Sequence, residues 1–96
     1  MRSSYATLDN GKVVIHQVQQ CNSTQFSIGD MVVTRMHRPF SAPKEIHGFI
    51  YALVQYDDQC IYAIVAYNGK RYYSNDVSVA RRFVNDGTLA DYLQKL

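Results

Sequence analysis

Tryptophan is missing from this chain, glutamate occurs once, at Glu45, and proline and cysteine occur twice each. Each scarcity removes a class of protein. Cys21 and Cys60 are far apart and form no Cys-x-x-Cys pair, which excludes a disulfide scaffold and a short-spaced structural zinc site. His16, His37 and His47 are equally scattered and read as exposed or hydrogen-bonded histidines at strand and loop ends. No apolar run approaches the roughly 18 residues of a membrane span; the longest, 48–54, falls far short. The stretch from Met1 to Tyr5 lacks the apolar segment of a secretory signal, so a cytoplasmic chain with reduced thiols is expected.

Catalytic signatures are missing as well. There is no Gly-x-Ser-x-Gly elbow, no Gly-rich phosphate loop and no His-Glu-x-x-His. Asp57 and Asp58 are adjacent, so in an extended chain they point apart and make a solvated turn rather than a paired acid and base. The expectation is a protein that binds rather than catalyses, without cofactor, metal or membrane.

What remains is a chain of 96 residues, 47% hydrophobic and 19% charged, enough for one folded domain and too hydrophobic for disorder. Ten basic against eight acidic side chains leave +2, too little to argue a general polyanion binder. The aromatic residues are lopsided: eight Tyr and four Phe.

Turn signals divide the chain into strands. Asn10-Gly11 has the form of a two-residue hairpin turn, which needs positive φ at both central residues. It predicts a hairpin of 4–8 with 12–18, placing Leu8 opposite Val13 and Ala6 opposite Ile15. After a polar loop at 19–25, Gly29-Asp30 opens a strand at 31–36. Pro39 and Pro43 bracket Phe40 and exclude a central strand or helix over 38–44. The runs 48–56 and 60–67 are rich in Ile, Val and Tyr and apolar on both faces in part, as central strands of a curled sheet are. Asn68-Gly69 closes a second hairpin onto 70–74, and a short helical turn over 75–78 is expected to lead into a last strand, 79–84. Only the end reads as helix: Thr88 is the expected cap with Asp91 three residues on, and Leu89, Tyr92, Leu93 and Leu96 make one apolar stripe.

The prediction is a mainly β chain: a small barrel of five to seven short antiparallel strands, which hides sheet edges, with an N-terminal hairpin (4–18), a barrel core (26–84) and a C-terminal helix (88–96) that either caps the barrel end as a lid, the favoured placement, or docks on a partner. From Phe26 to about Phe83 the pattern resembles SH3-like small barrels of the Tudor/KOW type. The resemblance rests on Gly29-Asp30-Met31-Val32, a long loop, Gly48-Phe49-Ile50, Tyr62-Ala63-Ile64-Val65, Tyr67-Asn68-Gly69-Lys70 and Asp76-Val77-Ser78. It implies a fold and leaves the ligand open, since such barrels serve many functions. A weaker similarity is to the type II dihydrofolate reductases, small barrels that work as tetramers; where they carry a Val-Gln-Ile-Tyr strand this chain has Lys70-Arg71-Tyr72-Tyr73.

Two sets of residues are candidates for recognition. Phe40, Tyr51, Tyr67, Tyr72 and Tyr73 form the first, because rigid amphipathic Tyr rings suit protein interfaces. Tyr72 and Tyr73 are neighbours on one strand, so one must face outward if the other is core. This set predicts a protein partner or self-association, and an oligomer axis would offer a small-molecule site. An aromatic cage for a methylated cation would draw on Phe40, Tyr51, Tyr67 and Tyr73 without the Trp that such cages favour. The second set is basic: Arg35, Arg38, Lys70, Arg71, Arg81 and Arg82 would bind nucleic acid if the fold gathered them, with Tyr72 or Tyr73 stacking on bases.

Overall fold

A computed structural model describes residues 2–16, 26–56, 59–81 and 87–96. Among the described residues there are seven strands and one helix. These are β1 (Arg2–Asp9), β2 (Lys12–His16), β3 (Met31–Met36), β4 (Lys44–Tyr56), β5 (Gln59–Ala66), β6 (Arg71–Ser74), β7 (Val77–Arg81) and α1 (Thr88–Leu93). The chain is mainly β, and all pairings are antiparallel. The polar loop expected at 19–25, the Asp57-Asp58 turn and Cys21 lie outside the described residues, and Cys60 is half-buried on β5. No helix among the described residues is long and apolar enough to cross a membrane.

The first hairpin follows its turn chemistry. Asn10 (φ 52) and Gly11 (φ 78) are both left-handed, and Leu8 faces Val13 while Ala6 faces Ile15. The second Asn-Gly turn closes β5 onto β6 differently. Only Gly69 is left-handed (φ 83); its N–H donates to the Ala66 carbonyl at 2.9 Å, and the Asn68 side chain accepts from Lys70 N–H at 3.0 Å. That is a three-residue loop with the left-handed residue last, which leaves Tyr67 in the turn rather than on the strand.

Strand β4 organises the sheet. One of its edges is shared end to end by two neighbours: β3 pairs with residues 44–49, and β1 pairs with 52–55. The other edge carries β5 from Gly48 to Tyr56, and β6 continues beyond β5. Between the two halves the register slips. Ile50 lies opposite Ile64, Ala52 lies opposite Ala63, and Tyr51 is the extra residue of a β-bulge, which bends and twists the strand. Beside the bulge, Ile50 exchanges two backbone hydrogen bonds with the turn before β3, from Gly29 N–H (2.8 Å) and to the Asp30 carbonyl (3.0 Å). The buried Asp30 carboxylate holds that turn by accepting from Ser27 N–H at 3.1 Å.

The sheet curls without closing into a barrel. β7 returns to pair with β3, while β6 and β7 have no ladder between them. Their junction is held by side chains: the buried Thr34 hydroxyl on β3 lies 3.0 Å from Ser74 Oγ and 3.1 Å from the Asp76 carbonyl. Ser74 Oγ also accepts from Asp76 N–H at 3.0 Å. These bonds replace the helical turn expected over 75–78. The backbone groups of Asp76 are committed to Ser74 and Thr34, and Val77 pairs directly with Thr34, so β7 starts two residues early.

Strands β4 and β5 are buried on both faces at their centres, as their composition indicated. Ile50, Ile64, Val65 and Val32 are fully buried, Phe49 and Tyr62 nearly so, and Phe26 meets Tyr62 edge-on at 5.5 Å. The strand begins at Lys44 rather than 48, since Lys44 through His47 continue the ladder with β3 and Ile46 is buried there. Helix α1 has six residues, too few to stand alone in water. Buried Leu89 and Leu93, each contributing about 1.5–3 kcal/mol of burial, seat it against the chain's own core. Tyr92 adds edge contacts to Phe49 (4.8 Å) and Tyr67 (5.7 Å). Its N-cap is Gly87 at φ 87, with no side-chain cap, so Thr88 is the first helical residue rather than the cap.

Gly48 sits between Val32 of β3 and Ala66 of β5, where a Cβ would meet the Val65 carbonyl and come 2.7 Å from Ile64 Cγ2. Gly48→Ala is therefore expected to cost about 1–3 kcal/mol through overpacking, read as a lowered denaturation midpoint at constant m-value. An unchanged midpoint would contradict this close approach of β4 to β5.

Candidate interaction face

The ladder brings together residues that are remote in sequence. Reading across the sheet, His16 is opposite Tyr5, Tyr5 is opposite Ala52, Ala52 is opposite Ala63 and Ala63 is opposite Tyr73. Directly opposed residues share a face, so these five form one transverse row over β2, β1, β4, β5 and β6. Tyr5 stacks on His16 with centroids 4.8 Å apart, and the Thr7 hydroxyl shares a 2.9 Å hydrogen bond with His16 Nε2. At the far end Tyr73 is 63% exposed, about 14 Å from Tyr5 at three strand spacings. Between them the two alanines are buried, and the bulge residue Tyr51 stands beside them.

Tyr51 and Tyr73 are hydrogen-bonded through their hydroxyls. Burial, then that bond and the proximity of Tyr73, push the Tyr51 phenol up to about 12, while the positive charge of Arg71 acts in the opposite direction. Arg71 lies two residues from Tyr73 on β6 and therefore on the same face.

The remaining residues of the aromatic set lie elsewhere. Tyr72 points to the opposite side of β6, half-buried and packed against the core, so Tyr73 is the outward member of the pair. Tyr67 is exposed in the β5–β6 turn but engaged by its own chain, with Lys95 Nζ 3.3 Å over its ring and Tyr92 at its edge. Phe40 stands wholly in solvent at the tip of the β3–β4 connection, in a left-handed conformation (φ 63) that Phe rarely adopts. Only Tyr51 and Tyr73 of the four cage candidates are thus joined.

The basic set is dispersed as well. Arg35 is 3.8 Å from Glu45 across the β3–β4 ladder, and Glu45 is shared with His47, also at 3.8 Å. Glu45 lies on β4, just beyond the proline-bracketed stretch, where the ladder sets it against Arg35. Arg38 donates to the Ala42 carbonyl at 3.0 and 3.3 Å, bracing its own loop. Lys70 is exposed in the β5–β6 turn, and Arg81 ends β7. Arg82 lies outside the described residues.

Arg35, Glu45, Val33, Asp76 and Ser78 line a cleft of about 400 Å³ on the β3–β7 side. Among the described residues, no group of three or more His, Cys, Asp or Glu side chains converges as a metal site would. Sequence reading missed Tyr5 and His16. The first hairpin's register pairs them, but their place beside Tyr51 and Tyr73 depends on the pairing of β1 with β4, which no local signal announces. Compared with protein-family models, characterised proteins and solved structures, the chain matches none.

Two measurements follow from these placements. In an ultraviolet pH titration one phenol should ionise near pH 12, absent in Tyr51→Phe and shifted downward in Tyr73→Phe. A folded-state value raised from 10.0 to about 12 means that its stabilising contribution is complete below pH 10 and lost as pH rises towards 12. The stability gap between wild type and Tyr51→Phe should therefore shrink over that window, and a constant gap would refute the assignment. Phe40→Ala should change stability by no more than about 0.5 kcal/mol, as for exposed side chains generally; a loss above about 2 kcal/mol would mark Phe40 as core.

Proposed function

We propose that this chain is a non-catalytic interaction module built on a curled, SH3-like sheet. It engages a protein partner, or a second copy of itself, through the sheet face that carries Tyr5, His16, Tyr51 and Tyr73. The curled path β7-β3-β4-β5-β6, with its long central strand and a turn opened by Gly29-Asp30, supports the SH3-like reading. The observation that carries the function is the cross-strand row itself. Aromatic side chains drawn from three separate strands are aligned on one face and left partly exposed. Tyr and Arg are the residue types that dominate binding energy at protein interfaces. A basic nucleic-acid surface has less support, because Arg35 is paired with a carboxylate and Arg38 with its own loop.

Light scattering tests this reading. Self-association would give a mass above 11.0 kDa at micromolar concentration, insensitive to salt and reduced to the monomer in a Tyr5→Ala/Tyr73→Ala variant. If wild type stays monomeric, a heterologous partner must be lost in the same variant. A monomer that gains mass only with short nucleic acid at low salt would overturn the proposal.

A further inference from the structure

We infer that Arg71 and the Tyr73 hydroxyl form an oxyanion-recognition pair, and that the protein met on this face presents a carboxylate side chain to it. The inference rests on the reading of the aromatic face as an interaction surface and names the chemistry of its partner. Arg71 and Tyr73 project from the same side of β6, about 7 Å apart along the strand, within reach of a guanidinium's long stem. Tyr73 shares a hydroxyl bond with Tyr51 and is itself 63% exposed. A phenol hydroxyl both donates and accepts, so Tyr73 can bond Tyr51 and still meet a group outside the chain. Beside it stands the five-donor fork of Arg71, which no described carboxylate pairs, whereas Arg35 is met by Glu45. Two adjacent donors of this kind fit an anionic oxygen acceptor.

Charge placement over the molecule agrees. Of the described carboxylates, Asp30 is buried, Glu45 and Asp76 line the β3–β7 cleft and Asp91 is on α1. Asp9 lies at the hairpin end opposite Lys12. None of these described carboxylates forms an ion pair with Arg71. The acceptor is a protein carboxylate rather than a chain of phosphates. A nucleic acid would need several cations in line, and the same face continues into Val54 and Ile61, half-buried apolar residues opposite one another in the ladder.

The test is an NMR titration of the full chain with the capped peptide Ac-Glu-Val-Glu-Val-NH2, its Gln counterpart, and a short oligothymidylate. The Glu peptide should give saturable shifts at the Arg71 side-chain N–H and the Tyr73 amide, and the Gln peptide should not. Arg71→Gln should weaken binding about tenfold or more and Tyr73→Phe by a smaller factor, as loss of charge-assisted and neutral hydrogen bonds predicts. Lys44→Gln, the same charge change on an exposed part of β4, should leave it unchanged. Absence of saturable shifts up to millimolar peptide, equal weakening by Lys44→Gln and Arg71→Gln, or tighter binding of oligothymidylate would each overturn the inference. Tyr5→Ala, which leaves the Arg71–Tyr73 pair intact, separates it from the broader reading. If Tyr5→Ala abolishes association with the partner while Arg71→Gln does not, the face is an interface without an oxyanion site.

Discussion

One strand has to satisfy three neighbours, and the rest of the molecule is arranged around that demand. β4 gives its first half to β3, its second half to β1, and both to β5. Two strands approaching one edge end to end cannot stay in a flat sheet, because each brings its own twist. The bulge at Tyr51 absorbs the mismatch, and the reciprocal bonds of Ile50 with Gly29 and Asp30 fix where it occurs. Gly48 permits the tight approach of β5 just before the bend. The turn before β3, the curl of the sheet and the position of the first hairpin all depend on this short stretch.

The aromatic face is a consequence of the same bend. In a regular strand Tyr51 would point opposite to Ala52; as the extra residue of a bulge it stands opposite Ala63 together with Ala52, within reach of Tyr73. Small side chains at 52 and 63 leave room for its ring. The hydroxyl bond to Tyr73 then ties β4 to β6 across β5. Removing the bulge would disperse the face even if every tyrosine were kept.

Local features were legible in the sequence at the first hairpin and the turn before β3, less so at Asn68-Gly69, whose three-residue loop took in Tyr67. Asn10-Gly11 defined the register of the first hairpin residue by residue, and Gly29-Asp30 marked the start of β3. The two prolines located the β3–β4 connection, and the period of Leu89 and Leu93 marked the buried side of α1. Features that arise from partners distant in sequence were not legible. The helical turn expected at 75–78 gave way to hydrogen bonds from Thr34, forty-odd positions earlier. The alternation of Lys44, Glu45, Ile46 and His47 is too polar to declare a strand until β3 lies beside it. For the same reason Arg35 read as part of a basic cluster, although its nearest charged neighbour in space is the chain's one glutamate.

The sheet also shows why the two surfaces of this chain differ in chemistry. On the β3–β7 side, Arg35, Glu45 and Asp76 place opposite charges near one another and satisfy part of their field internally. Exposed ion pairs of this kind add little stability, about 0–1 kcal/mol each, yet they lower the attraction of that side for any charged molecule outside. On the aromatic side no described carboxylate is paired with Arg71, and the polar atoms that do pair there, Tyr51 with Tyr73 and Thr7 with His16, are hydrogen-bonding groups rather than fixed opposite charges. Among the described residues the Arg71 guanidinium therefore stands beside aromatic rings without a paired carboxylate. That asymmetry arises from which strands are paired and is invisible in the net charge of +2.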